Sequence, residues 1–343
     1  MTTSVSPAAV SDLPPLLQAI FKRAAAQPKN IVLCEGDDPR VLGAGVEAHQ
    51  LGIARITVVG AEAAVRQCAE QEGLSLAGIE LIDPATHADT AALTQRLVER
   101  RQHKGMTPEK AAVEIQKPLV FANMLLAEGK VDGSVAGAVH TTADVVRTAI
   151  QLVGTAEGSS LVSSFFLMVL DKPHHPVQGG MIFTDCGLVI DPTAEELSQI
   201  AKAASVSAAQ LLGDEARVAM LSFSTAGSGG KNPMVEKVQQ ATRLLKAAAP
   251  ELKVDGELQL DAALVPSIAT RKLPDSQLKG QANVLVFPDL NAGNIGYKLA
   301  ERIGGVRAVG PLLQGLARPA NDLSRGAAKA DIVNTIAVTA LQA

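Results

Sequence analysis

Short apolar runs alternate with helical periodicities along most of the chain. Residues 13–26 carry apolar positions at helical spacing, and residues 31–33 form a brief apolar run that ends in Cys34-Glu-Gly-Asp-Asp-Pro-Arg40. A helix over 41–51 follows. The same succession of strand, polar glycine-bearing loop and helix recurs at 56–59, with a helix to about residue 72, and at 79–82, with a helix over 90–102. Thr107 caps a further helix that has Pro108 at its first position and Glu109 in its first turn. Residues 131–137 read as a strand with a glycine-rich end, and Thr141 or Thr142 caps a helix through residue 152 that carries Arg147. Strands alternating with helices predict a parallel sheet covered on both faces, with ligands at the carboxyl ends of its strands.

The character changes at residues 154–160, a run of small residues that reads as a hinge. Two strongly apolar strands are expected over 163–170 and 180–190, joined by a turn containing Pro173 and Pro176, and a helix capped near Asp191 is expected to about residue 204. A strand over 217–223 leads into the glycine-rich stretch Ser224-Thr-Ala-Gly-Ser-Gly-Gly-Lys231, and Pro233 opens a helix to 248. Such a turn exposes backbone amides that can hold an anion, although its spacing is neither the P-loop nor the dinucleotide pattern, and a flexible turn reads equally well. The acidic run over 255–261 precedes a helix toward Arg271. A strand over 283–287 is followed by a second amide-presenting turn, in which Asn291 and Asn294 flank Gly293. Thr225, Ser228 and Asn294 are the candidate substrate contacts in these turns.

The most polar stretch held between apolar ones runs from Gly315 to Asp331. It contains Arg318, Asn321, Asp322, Ser324, Arg325 and Asp331. Ordinary roles explain part of it: Pro319 ends a strand, Asn321 and Asp322 suit a turn, and Asp331 suits the first turn of the last helix. They do not explain two guanidinium groups with few carboxylates beside them, so Arg325 and Arg318 are read as ligands for an anion.

Composition narrows the choices. At 343 residues the chain exceeds one core of typical size, which predicts two domains. Aromatic residues make up only 2%, so the core must be aliphatic, and rings on which single-stranded bases could stack are scarce. A net charge of -4 without a long basic run argues against nucleic acid or a membrane surface as partner. Cys34, Cys68 and Cys186 in no paired spacing suggest a reducing compartment and no structural metal. Residues 1–30 show no signal pattern, and a cytoplasmic location is expected.

Two long blocks then become specific. Phe287-Pro-Asp-Leu-Asn-Ala-Gly-Asn-Ile-Gly-Tyr-Lys-Leu and the block from Gly310 through Asn321-Asp-Leu-Ser-Arg-Gly326 closely resemble the phosphate acetyltransferase family. Residues 255–263, 222–228 and 101–107 resemble further blocks of it, and the likeness runs from about Ile31 to the end. The resemblance implies an α/β protein of two α/β domains with a cleft between them, in the isocitrate/isopropylmalate dehydrogenase-like architecture. Domain I would take residues 1–153 with about 319–343, domain II about 154–318, and the chain would be the short, single-catalytic-unit form. It implies reversible acetyl transfer between acetyl-CoA and phosphate, giving CoA and acetyl phosphate, in a homodimer with no metal and no cofactor, coenzyme A being a substrate. Carried over residue by residue, it places catalytic roles on Arg325, Ser324 and Asp331, and substrate binding on Arg147 and Arg101; Arg318 and Asn321, in the same block as the catalytic set, are further candidate substrate-binding residues. One departure stands out: Ala327-Ala328 replaces the Cys-Ser that relatives often carry, removing a helix-capping hydroxyl that contributes about 1 kcal/mol.

These residues suit the chemistry. A thiol of pKa near 8.5 is mostly protonated at neutral pH, so a carboxylate such as Asp331 is needed to take its proton as attack begins. Arg325 and Ser324 suit the negative charge that gathers on the carbonyl oxygen and the departing phosphate. Four other readings compete, the first three being a butyryl-transferring relative, a covalent route through Cys186, and a nicotinamide-dependent, metal-using dehydrogenase of related architecture. A non-catalytic acyl-CoA or acetyl-phosphate binding module is the fourth.

Overall fold

The computed structural model describes residues 8–175 and 177–343. Pro176, expected in the turn after residue 170, lies outside the described residues, as do residues 1–7 of the segment expected to lack a signal. The chain divides into two compact units, Met1–Glu157 with Leu316–Ala343, and Gly158–Gly315. Eleven strands occur among the described residues: β1 (Lys29–Leu33), β2 (Ala54–Val59), β3 (Glu80–Ile82), β4 (Gly133–Ala136), β5 (Ser163–Leu170), β6 (Gly179–Thr184), β7 (Arg217–Leu221), β8 (Lys253–Leu258), β9 (Val284–Val286), β10 (Arg307–Gln314) and β11 (Ala320–Asp322).

In the first unit the strands form one sheet in the order β11-β4-β1-β2-β3, every pair parallel. Both faces are covered, which is why residues 31–33 of β1 and all four residues of β4 are buried. The helix Pro39–Gln50 starts where Asp38 accepts the amides of Arg40 and Val41, and Thr142–Leu152 starts where the Thr141 hydroxyl accepts that of Asp144. The last helix, Lys329–Gln342, buries Ile332 through Ala340 against the helices Pro39–Gln50 and Pro15–Ala26.

β11 corrects the sequence reading. Asn321 and Asp322, expected in a turn, lie in a strand paired in register with Val135 and Ala136 of β4, and each is 1% exposed. Polar residues are tolerated in so buried a strand when distant groups meet them, and Asn321 donates to Thr339 Oγ1 (2.8 Å) and Gln342 Oε1 (2.7 Å) on the last helix.

The second unit holds a mixed sheet, β10-β5-β6-β9-β7-β8. β5 and β6 are antiparallel because their connection is too short for a crossover helix; β6, β9, β7 and β8 are parallel. The strand expected over 180–190 stops at Thr184. There the Asp185 carboxylate accepts the amides of Ser164, Gly187, Leu188 and Val189, turning the chain out of the sheet. The acidic run after Lys253 is the strand β8, with Asp255 and Glu257 buried in it. The helix expected to end near residue 204 runs Ala194–Leu212, opened by a capping box between Thr193 and Glu196 and closed by Gly213 at φ 67°.

Candidate active site

Parallel strands bring their carboxyl ends to one edge of a sheet. In the first unit three loops meet there: residues 34–38 after β1, 137–141 after β4 and 323–328 after β11. A buried carboxylate organises the first two. Glu35, 2% exposed, accepts the amides of Gly137 (3.1 Å), Ala138 (2.9 Å), Val139 (2.9 Å) and His140 (2.8 Å), and also meets His140 Nδ1 at 2.8 Å. Burial alone would raise its pKa, but the His140 ring and these amides outweigh it and hold Glu35 below the usual range, ionised.

Arg40 ties the third loop to the others. Its guanidinium lies against the Asp38 carboxylate and donates to the carbonyls of Arg325 (2.8 Å), Ala327 (3.1 Å) and Ala138 (3.0 Å). One forked donor thus fixes the backbone that carries Ser324 and Arg325 relative to the loop after β4, a task for which an ammonium has the wrong shape. Arg40→Met is expected to lower stability by about 1–3 kcal/mol in urea titration through the carbonyls it strands, and turnover by about tenfold through loosening of the loop. Unchanged turnover would show that the loop keeps its geometry without the clamp.

Ser324 and Arg325 project from this loop and are exposed; among the described residues Ser324 Oγ accepts only the Gly326 amide, at 3.3 Å. Among the described residues the Arg325 side chain forms no ion pair, leaving its fork available. Asp331, also exposed, reaches back to the Ala328 amide at 3.0 Å. Ala328 is the N-cap and has no side-chain oxygen, so Asp331 supplies the part of the cap that remains.

Beneath them lies Asp322. Neither of its oxygens meets a hydrogen-bond partner among the described residues, and a Cβ on Gly137 (φ 112°) would overlap the carboxyl oxygen, so only glycine fits opposite it. Burial pushes its pKa up to about 6, and the nearby Glu35 charge adds to the rise, against the opposing pull of the Thr142 hydroxyl and Leu323 amide. The folded pKa exceeds the unfolded one, so Asp322 favours the fold below about pH 4, and that contribution is lost as pH rises through 6. Asp322→Asn is therefore expected to raise stability at pH 8 by about 2 kcal/mol and to flatten its pH dependence between about 4 and 7, measured by thermal melts. Parallel melting curves for the two proteins would contradict this.

Arg101 and Arg147 are brought together. They line one cavity of about 450 Å³ whose floor includes Leu97, Met106 and Leu152 and whose polar rim includes Lys117 and His140. Arg147 is ion-paired with Asp144, one helical turn earlier. An apolar floor under a cationic rim suits an extended ligand with both oily and anionic parts.

Within the first unit, Arg318 and Asn321 are placed away from this loop. Arg318 precedes β11, at the end of that strand opposite to Arg325, and its guanidinium lies beside Gly129. Asn321 is committed to the last helix, so its amide is not presented to the loop. Thr225, Ser228 and Asn294 belong to the second unit. Ser228 Oγ accepts the Thr225 amide (3.0 Å), Thr225 Oγ1 accepts that of Gln259 (2.9 Å), and Asn294 donates to the Cys186 carbonyl (3.0 Å). The glycine-rich turn already holds an internal anion: Glu257 accepts the Gly227 amide at 2.7 Å and the Ser224 hydroxyl at 2.8 Å. Cys186 is 0% exposed, and burial, reinforced by the Asp185 charge, raises its thiol well above the usual range, which removes the exposed thiolate a covalent route needs. Among the described residues no group of three or more His, Cys, Asp or Glu could hold a metal ion.

Glu35, Arg40, His140 and the buried state of Asp322 escaped the sequence reading. The available signal was position alone, since Glu35 and His140 each lie in a loop that follows a strand's carboxyl end.

Comparison with known proteins gives the following. Residues 15–340 match the family model described as phosphate acetyl/butaryl transferase. The chain is 49% identical to the phosphate acetyltransferase of Paracoccus denitrificans, over 95% of this chain and 98% of that protein. It superposes on the EutD phosphotransacetylase from Staphylococcus aureus with a TM-score of 0.89 and 42% identity, covering 97% and 98% of the two chains. A 4-hydroxythreonine-4-phosphate dehydrogenase-like structure from Salmonella typhimurium, at 14% identity and a TM-score of 0.56 over 92% and 100% of the chains, shares the fold alone.

Proposed function

The chain belongs to the phosphate acetyl/butaryl transferase family, and from that premise we infer that it is a phosphate acetyltransferase, an acyltransferase that moves an acetyl group reversibly between coenzyme A and inorganic phosphate. The observation that carries the reading at the level of chemistry is the loop after β11. It presents on Arg325 a guanidinium without an ion pair among the described residues, a hydroxyl on Ser324 and, six residues beyond Arg325 in the first turn of the last helix, a carboxylate on Asp331, on a backbone clamped by Arg40.

The reaction proceeds by direct transfer in a ternary complex. In the direction of acetyl-CoA synthesis, Asp331 takes the proton of the coenzyme A thiol, and the sulfur attacks the carbonyl carbon of acetyl phosphate. The tetrahedral oxyanion then collapses with cleavage of the bond from carbon to the bridging oxygen, and phosphate leaves. Arg325 and Ser324 stabilise the charge on the carbonyl oxygen and the departing phosphate. In reverse, a phosphate oxygen attacks the thioester and Asp331 returns the proton to sulfur. Arg101 and Arg147 hold anionic groups of the substrates at the cavity rim, over its apolar floor. No metal or further cofactor takes part.

Mass spectrometry after incubation with acetyl-CoA alone tests the direct route: unmodified protein is expected, and an acetylated enzyme competent to pass its group to phosphate would overturn it. Butyryl-CoA beside acetyl-CoA tests the acyl group, with acetyl-CoA expected to react faster.

The protein acts as a cytoplasmic homodimer. Exposed Ile295, Leu299 and Ile303, spaced four apart along and just beyond the helix Leu290–Arg302, form an apolar stripe that a second copy would cover, and Ile303 is 81% exposed. Sedimentation at the mass of one 35.5 kDa chain would remove the dimer. The three cysteines are free, as a reducing compartment requires, and among the described residues no helix is long and apolar enough to cross a membrane.

A further inference from the structure

The acyl-transfer machinery described above leaves one arrangement unused. His140 stands at the rim of the cavity that holds Arg101 and Arg147, and its ring is backed by a carboxylate sealed in the interior. The Nδ1 atom is fixed on Glu35 at 2.8 Å. Glu35 in turn is immobilised by four consecutive backbone amides, so the ring orientation is set by the fold and not by solvent. No hydrogen bond among the described residues engages Nε2. A carboxylate behind one ring nitrogen fixes which nitrogen carries the permanent proton and leaves the other to face a ligand. The same loop is bonded through the Ala138 carbonyl to Arg40, which also holds the loop of Ser324 and Arg325.

We propose that His140 is a substrate-binding residue of this site, its Nε2 in the imidazolium form donating a hydrogen bond to a phosphate oxygen of the anionic substrate, with Glu35 as the positioning residue that keeps the ring oriented and charged. This rests on the acyl-transfer reading for the identity of the substrate, and on the cavity's own chemistry for the class of ligand, an anion bearing a phosphate-like group.

The surrounding charges favour the protonated ring. The Glu35 hydrogen bond raises the His140 pKa against the opposing effect of burial, and the charges of Glu35, Asp144 and Asp37 act in the same direction. Arg147 on the same helix, Arg101 and Lys117 face the cavity and oppose it; Glu114 also lines the cavity, and Asp322 lies behind the loop. Below its raised pKa the ring is a charge-assisted donor, and as pH rises through that value the donor is lost. Arginine cannot supply such a dependence, because it does not titrate in this range.

The probe is sulfate, which stays a dianion from about pH 5 to 9 and so contributes no titration of its own. The Cε1 proton of His140, assigned by its loss in His140→Gln, is followed by NMR across that range in the wild-type protein. Sulfate at saturation is expected to raise the midpoint by about one pH unit, the reciprocal of about tenfold tighter binding to the charged ring. Glu35→Gln is expected to lower the midpoint without sulfate. In steady-state assays the KM for acetyl phosphate should rise about tenfold from pH 6 to 9 in wild type and be uniformly high in His140→Gln, with a smaller change in kcat. A midpoint that sulfate leaves unmoved, or parallel KM profiles in two active proteins, overturns the proposal. A chain that shifts with sulfate but transfers no acetyl group keeps the anion site and loses the acyl-transfer reading.

Discussion

Arg325→Gln is expected to reduce kcat for acetyl transfer by roughly 10²–10³, the range lost when a single pre-positioned donor to a developing anion is removed. The effect should fall mainly on turnover, because in the proposed mechanism the guanidinium meets a charge that gathers in the transition state. Stability should hardly move: the side chain is exposed and, among the described residues, forms no ion pair, while the backbone carbonyl that Arg40 grips is retained in the variant. A thermal melt beside the kinetic assay separates the two effects. Near-normal turnover in the folded variant would remove Arg325 from the chemistry.

Asp331→Asn is expected to lower turnover by about a hundredfold or more, as removal of a general base does. The substitution isolates the proton-accepting role, because Asp331 also accepts the Ala328 amide at the start of the last helix. Asparagine keeps an oxygen that can make that bond but cannot take a thiol proton. The helix loses a favourable negative charge in its first turn, which costs about 0.3–1 kcal/mol and leaves the fold intact. Raising the pH should partly restore the variant, since a greater thiolate fraction lessens the need for a base. A variant whose deficit does not depend on pH would assign Asp331 to the helix cap alone.

Much of the fold was legible because it follows from local pattern. Apolar runs of three to six residues separated by capped helices give the parallel sheet of the first unit, and the carboxyl ends of its strands follow from that topology. The antiparallel pair β5 and β6 was not legible from alternation, since two apolar runs joined by a turn do not state the direction of pairing. Nor was β11, where Ala320-Asn-Asp322 has the composition of a turn. It becomes a strand because Asn321 finds Thr339 and Gln342 on a helix 18 and 21 residues later. The site divides in the same way. Ser324, Arg325 and Asp331 lie close together in sequence and could be read as a unit. Glu35 and the loop it anchors are separated by more than 100 residues, and Arg40 is 285 residues from the carbonyl it holds on Arg325. Such pairs are invisible until the sheet brings them to one edge. Asp322 shows the converse: its neighbours Ser324 and Arg325 are exposed, and only the burial of β11 turns an ordinary acidic residue into one that stays partly protonated near pH 6.

Free thiol released from acetyl-CoA by the wild-type protein, measured with and without inorganic phosphate, tests the central claim most directly. Rapid release that requires phosphate and yields acetyl phosphate in equal amount is the predicted result. Release at the same rate without phosphate, or none under either condition, would contradict it.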